Sequence, residues 1–153
     1  MSDWLEHSVL VEVNAPVELS WELWSDLEQM PRWMKWIESV KVLEEDPELS
    51  RWQLAAGSFE LTWLSRITKL VEHQLIQWEA VDGLPYGGGS RFYDHKGKSA
   101  VMLTVSYSIP SFIGKLMDNL FLGRIVEGTL KADLQRFQTY VDTVQRENVQ
   151  QAD

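Results

Sequence analysis

The sequence predicts an α+β fold: a seven-stranded curved antiparallel sheet wrapped around a long C-terminal helix, with two short helices after the first strand. Three observations carry this. Apolar residues alternate with period two in seven separate runs. Six of those runs follow one another through short turns, which joins neighbours antiparallel. The last part of the chain keeps apolar residues at helical spacing to near residue 147. One face of an antiparallel sheet can meet water, but the other needs cover. The last helix is the one element large enough to give it.

The elements follow in order. Residues 5–13 place His7, Val9, Val11 and Val13 on one strand face. Asn14-Ala15-Pro16 punctuates, and Pro is tolerated in a first helical turn because its missing N–H has no partner there. Val17, Ser20, Trp21 and Trp24 then share a helical stripe over 16–25. A second short helix is predicted from Pro31, with Met30, Trp33, Met34 and Ile37 at the same spacing. The period changes to two at Val40 and Val42, and Glu44-Glu45-Asp46-Pro47 reads as a solvated turn. Trp52, Leu54 and Ala56 share one face; Phe59, Leu61, Trp63, Ser65 and Ile67 share the next. Ile76, Trp78 and Ala80 mark another strand. Residues 82–90, DGLPYGGGS, read as a flexible hairpin or lid. Arg91, Tyr93 and His95 alternate with Phe92 and Asp94, and Lys96-Gly97 reads as a two-residue turn. Val101, Leu103, Val105, Tyr107 and Ile109 give the clearest alternation, which Pro110 ends. Ser111 is a reasonable N-cap for a helix over roughly 112–147. Gly114, Gly123 and Gly128 interrupt that helix, each at a cost of about 1 kcal/mol relative to Ala.

With 153 residues the expectation is one domain, 1–153, with a core of about 5–147 and a frayed tail at 148–153. A chain of this size needs no staple of disulfide or metal. The net charge of −9 sits in the first 60 residues, which hold 13 acids and 4 bases. Without a basic block the chain is a poor partner for nucleic acid. Zero Cys excludes thiolate chemistry and Cys-based zinc sites. His7, His73 and His95 lack metal-ligand spacing, and the Gly run lacks phosphate-loop spacing, so no metal and no cofactor are expected. There is no leader-like start and no transmembrane run, so a cytoplasmic monomer or small homo-oligomer is expected.

Two stretches resemble a known group: VNAPVELSWELWSDLEQMPRWMKWIESVKVLE, with its Ala-Pro, helix, Asp and Pro-x-Trp, and WEAVDGLPYGGGSRFYDHKGKSAVMLTVSYSIP, with its Trp, Gly-rich turn, hairpin and Tyr…Pro ending. The chain resembles the START-like (SRPBCC, helix-grip) superfamily over about residues 5–140, in particular its polyketide cyclase/dehydrase-like and coenzyme-Q-binding branch. Tyr107 and Pro110 stand one residue further apart than in that pattern. The resemblance implies a cavity for a hydrophobic small molecule between sheet and C-terminal helix. It also places Arg91 and Tyr93 on the concave face with Leu103, Val105 and Tyr107.

The candidate ligand-binding residues are Trp52, Leu61, Trp63, Trp78, Arg91, Tyr93, Leu103, Val105, Tyr107, Met117, Leu120 and Phe121. Aromatic rings offer area and stacking, although the same Trp residues serve equally as core filling. Arg91, Tyr93 and Tyr107 are the candidates for orienting a polar ligand group or for acid–base work. Arg91 has an alternative place at the strand mouth, exposed or paired with Glu79. Asp94 and His95 point to opposite faces and cannot readily cooperate. Phe112, Met117, Leu120 and Phe121 are either buried between the sheet and the short helices, or border the cavity or its entrance, or form a membrane-touching gate. Trp36, read as exposed beside Met30 and Met34, offers a transient contact with a membrane or a protein. The expected function is a carrier or presenting protein for a lipid, isoprenoid quinone or polyketide-like compound. The alternatives are a cyclase/dehydrase-type enzyme and a protein-interaction module acting through the acidic first third.

Overall fold

Period-two alternation and short turns build one sheet from seven strands. The computed structural model describes residues 4–82, 85–108 and 119–152. The strands are β1 (Trp4–Val13), β2 (Ile37–Val42), β3 (Leu49–Ala56), β4 (Phe59–Val71), β5 (Leu75–Asp82), β6 (Tyr86–His95) and β7 (Lys98–Ser108). All neighbours are antiparallel in the order β1-β7-β6-β5-β4-β3-β2, so the first strand lies beside the last. The fold is the predicted helix grip: a curled seven-stranded sheet with a long C-terminal helix against it.

One turn decides which residues of β6 face inward. Lys96 and Gly97 both have positive φ, 55° and 86°. That is the two-residue geometry whose twist matches a hairpin. His95 therefore pairs with Lys98, Phe92 with Val101, Ser90 with Leu103 and Tyr86 with Tyr107. Val101 and Leu103 are fully buried, and Phe92 and Ser90 are buried opposite them. Arg91 and Tyr93 lie on the outer face, with Tyr93 43% exposed. The expected inward orientation of Arg91 and Tyr93 is thus corrected. Side chains alternate across a strand, and Phe92 holds the inward place between them.

Residues 86–90 are strand, not a flexible lid. A Cβ on Gly88 would stand 2.3 Å from the Thr104 carbonyl oxygen and 3.2 Å from the Trp78 ring. Glycine is needed there because two strands and an indole approach one backbone point.

Helix α1 (Val17–Ser25) buries the predicted stripe Val17, Ser20, Trp21 and Trp24. The second short helix begins earlier than predicted. It is a 3-10 helix over Leu27–Arg32 that contains Pro31. A proline disfavours α geometry in the residue before it and lacks a donor, so a tight turn replaces a regular helix. Met30, Trp33 and Met34 are nevertheless buried, as their spacing requires.

Helix α2 (Asn119–Ala152) presents Leu130, Leu134, Phe137 and Val141 to the core. Burying each such side chain contributes about 1.5–3 kcal/mol. The helix continues through residues 148–152, where fraying was expected. The predicted first turns of this helix, with Ser111, Phe112, Gly114 and Met117, lie outside the described residues. Polar contacts fasten α2. The carboxylate of Asp133 is paired with Arg136 and accepts the Lys35 backbone N–H at 3.1 Å. Arg136 Nε donates to the Trp33 carbonyl at 3.0 Å. Trp33 in turn stacks on Tyr140, with centroids 5.5 Å apart.

Candidate functional site

Among the described residues, a narrow cavity opens between the two short helices and the β3–β6 half of the sheet. Trp24, Leu27, Met30, Met34 and Ile37 form the wall on the helix side. The sheet side comes from β3 (Ser50, Trp52), β4 (Ser65, Ile67), β5 (Ile76, Trp78) and β6 (Tyr86). The cavity is a narrow slot with ≈ 450 Å³ of empty space, counted out into its open mouth. None of the described residues of α2 lines it. This cavity lies beside the short helices, and the first turns of the C-terminal helix, where the sequence placed part of the lining, lie outside the described residues. Along the described part of α2, Leu134, Phe137 and Val141 are fully buried against β1 and α1.

The lining carries no Asp, Glu, Lys, Arg or His among the described residues. Its polar groups are mostly engaged. The Trp52 indole N–H donates to Ser50 Oγ at 2.8 Å, and the Ser65 hydroxyl lies 3.4 Å from the Glu79 carbonyl. The Trp78 indole N–H lies near the Tyr86 hydroxyl. Tyr86 is half-exposed as a residue, but its hydroxyl lies deep enough for burial to push its pKa up to about 12. The phenol therefore stays protonated at neutral pH. Trp52 stacks on Trp63 at 6.0 Å, and Trp63 tilts onto Tyr86 at 5.5 Å.

The predicted site residues divide as follows. Trp52 and Trp78 line the cavity, and Trp63 stacks on Trp52. Leu61 is half-buried and packs on the core, while Leu103 and Val105 are core residues away from the lining. Arg91 and Tyr93 are outside. Met117 and the side chains of Leu120 and Phe121 lie outside the described residues. The exposed Trp–Met surface is also corrected: Trp36 is half-buried, and Met30 and Met34 are in the core.

Tyr107 does face inward, but its partner was missed. His7 Nε2 lies 3.0 Å from the Tyr107 hydroxyl, and the rings stack at 5.7 Å. Burial pushes the Tyr107 pKa up to about 12. The helix comes close here, since a Cβ on Gly123 would stand 3.4 Å from the His7 ring. The contact joins the first strand to the last, and no local pattern in the sequence marks that pairing. The helix-side wall was missed for another reason. Core filling and cavity lining use the same apolar residue types at the same spacing.

Among the described residues, no three metal-binding side chains gather, and no helix is long and apolar enough to cross a membrane.

Comparison with known proteins agrees with this architecture. The sequence profile of the family described as polyketide cyclase / dehydrase and lipid transport matches residues 13–135. An uncharacterised 17.2 kDa protein of Streptomyces lincolnensis is 24% identical over 136 residues, 86% of each chain. Three solved structures share the fold. A Thermus thermophilus protein superposes with a TM-score of 0.78 at 21% identity, covering 92% of this chain and 99% of the other. A START superfamily protein from Mycobacterium smegmatis gives 0.76 at 14%, covering 91% and 98%. The Zhui aromatase/cyclase from a Streptomyces species gives 0.75 at 20%, covering 91% and 94%.

Proposed function

The chain belongs to the polyketide cyclase/dehydrase and lipid transport family, and from that membership we propose that it is a carrier or presenting protein for a hydrophobic small molecule held in the cavity beside the short helices. The observation that supports this most directly is an apolar, charge-free slot walled by Trp, Met, Ile and Tyr side chains. Sites for small molecules commonly combine such a lining with a few placed polar groups. Lipids, isoprenoid quinones and polyketide-like compounds all match the lining.

The slot is narrower than a ligand of that size, so binding has to move a wall. Met30 and Met34 suit that task, because an unbranched thioether repacks around different shapes at low cost. They stand on the 3-10 helix and the turn after it, which two polar contacts with α2 anchor.

Mass spectrometry of organic extracts from protein purified out of its native cell tests the reading. A recurrent apolar compound in stoichiometric amount is the expected result. Repeated absence of any such compound, together with no displacement of Trp fluorescence by quinones or lipids, would overturn it.

A cyclase/dehydrase-type enzyme is the second reading, and the His7–Tyr107 contact favours it. A phenol hydrogen-bonded to an imidazole can deliver a proton to a carbonyl and recover it. Under this reading Tyr107→Phe abolishes turnover of a multi-carbonyl substrate and leaves its binding intact. A carrier shows no turnover to lose.

A further inference from the structure

Towards one end of β1 and β7 the outer face of the sheet is polar and satisfies itself. The Ser8 hydroxyl lies 2.9 Å from that of Thr104, and Ser106 donates to Glu6 at 3.3 Å. The adjoining stretch differs. Leu10, Met102, Arg91 and Leu75 stand side by side across β1, β7, β6 and β5. Two residues further along, Glu12, Ala100 and Tyr93 form the next row. Leu10 is 57% exposed and Tyr93 43%. Leu75 is buried yet stands apart from the main core, because Ile76 beside it takes the inward place. Exposed apolar side chains gathered within a polar surround mark contact surfaces.

The corners of this stretch carry a pattern. Leu10 and Tyr93 occupy one diagonal, and Glu12 and Arg91 occupy the other. The two columns, β1 and β6, stand about 10 Å apart, and the two rows about 7 Å. Met102 and Ala100, both half-buried, fill the centre. Glu12 and Arg91 are exposed, and among the described residues neither makes an ion pair. A twofold axis along the Leu10–Tyr93 diagonal brings the stretch onto itself. Leu10 and Tyr93 then each meet their own counterpart, while each Arg91 faces the Glu12 of the second copy. Such self-complementarity is what a twofold interface requires. A partner of one charge sign would satisfy one corner and be repelled by the other, whereas a second copy satisfies both.

We propose that two copies of the chain associate face to face through this outer stretch of β1, β7 and β6. The association does not depend on what the cavity holds. The strands of the two copies cross steeply, which is the orthogonal class of sheet packing. Lys98 begins β7 at the rim, where its charge stays in water. The outer side of a curled sheet is convex, so the two faces touch over a small area. A handful of side chains is far below the roughly 20–30 residues a side of a standard interface. The dimer is therefore weak and reversible, with a dissociation constant of roughly 10–100 μM.

Sedimentation velocity of the intact chain from about 5 μM to about 1 mM tests this. The salt is set at about 0.15 M, where repulsion between two chains of net charge −9 is screened beyond about 8 Å. The expected result is a monomer at the lowest concentration and a dimer at the highest. Glu12→Arg and Arg91→Glu each set like charges against each other, and each is expected to weaken the dimer at least roughly tenfold. The double variant exchanges the two corners and is expected to return to within roughly threefold of the wild type. Leu10→Lys sets two ammonium groups together at the axis and should also weaken the dimer at least roughly tenfold. Thermal unfolding at the lowest concentration confirms that each variant is folded. A chain that stays monomeric up to about 1 mM would overturn the proposal and leave this face to a different protein. So would a dimer that none of the single variants weakens. A double variant no tighter than the single ones would overturn the pairing of Arg91 with Glu12, on which the twofold arrangement stands.

Discussion

Phe92 stands directly opposite Val101 across β6 and β7, and both side chains are buried. That pairing sends the flanking Arg91 and Tyr93 to the solvent side of the sheet. Arg91→Ala and Tyr93→Phe are therefore expected to change stability by no more than about 0.5 kcal/mol, the usual range for surface positions. Any ligand that extracts with the wild type should extract with both variants. Denaturant midpoints and extract mass spectra check this. Loss of the ligand in either variant would place these side chains at the site after all.

Much of the fold was legible because local rules agree along most of the chain. Period-two runs, the Lys96-Gly97 turn and the Leu130–Val141 stripe each specify one element. The same turn also contained the register of β6, because a two-residue loop with His95 opposite Lys98 forces Phe92 onto Val101. The family pattern pointed Arg91 inward, and the local geometry overrides it. What the sequence did not show is non-local. His7 and Tyr107 meet only because β1 pairs with β7 at the far end of the chain. Trp24 and Met30 belong to the core and also border the cavity, and composition does not encode which core residues do so.

Two glycines should respond with opposite signs. Gly88→Ala drives a methyl against the Thr104 carbonyl and the Trp78 ring. Neither a backbone oxygen nor a packed indole yields easily, so a loss of about 1–3 kcal/mol is expected. Gly128 in α2 is exposed, with open space where its Cβ would be. Gly128→Ala should stabilise by about 1 kcal/mol through helix propensity. Thermal or urea unfolding of the two variants gives the comparison. A neutral Gly88→Ala would show that β6 and β7 separate freely there.

The pH response of Asp133 follows from its burial. Desolvation raises its pKa above the ordinary 3.8, while the Lys35 N–H and Arg136 pull it back only in part. A carboxyl whose folded pKa is raised contributes its stability fully below the unfolded value and loses it as pH rises through the folded one. Asp133→Asn removes that titration. The stability of the wild type relative to this variant should thus fall as pH rises above the ordinary carboxyl value of 3.8. A wild type that gains on the variant over that range would mean that the pairing with Arg136 outweighs burial.

The contact between His7 and Tyr107 should be measurable as a coupling. Its 3.0 Å hydrogen bond is half-buried, so a double-mutant cycle of His7→Ala and Tyr107→Phe is expected to give about 0.5–1.5 kcal/mol. The alkaline limb adds a second reading. Tyr107 ionises at about 12 when folded, against 10.0 ordinarily. Its contribution is therefore complete below pH 10 and is lost as pH rises towards 12. The cost of Tyr107→Phe should stay constant from neutral pH to about 10 and then shrink, because only the wild type has a buried phenol to ionise. A cost that instead grows with pH would mean that a partner holds the phenolate form, and would turn the pair from a neutral hydrogen bond into a charged one.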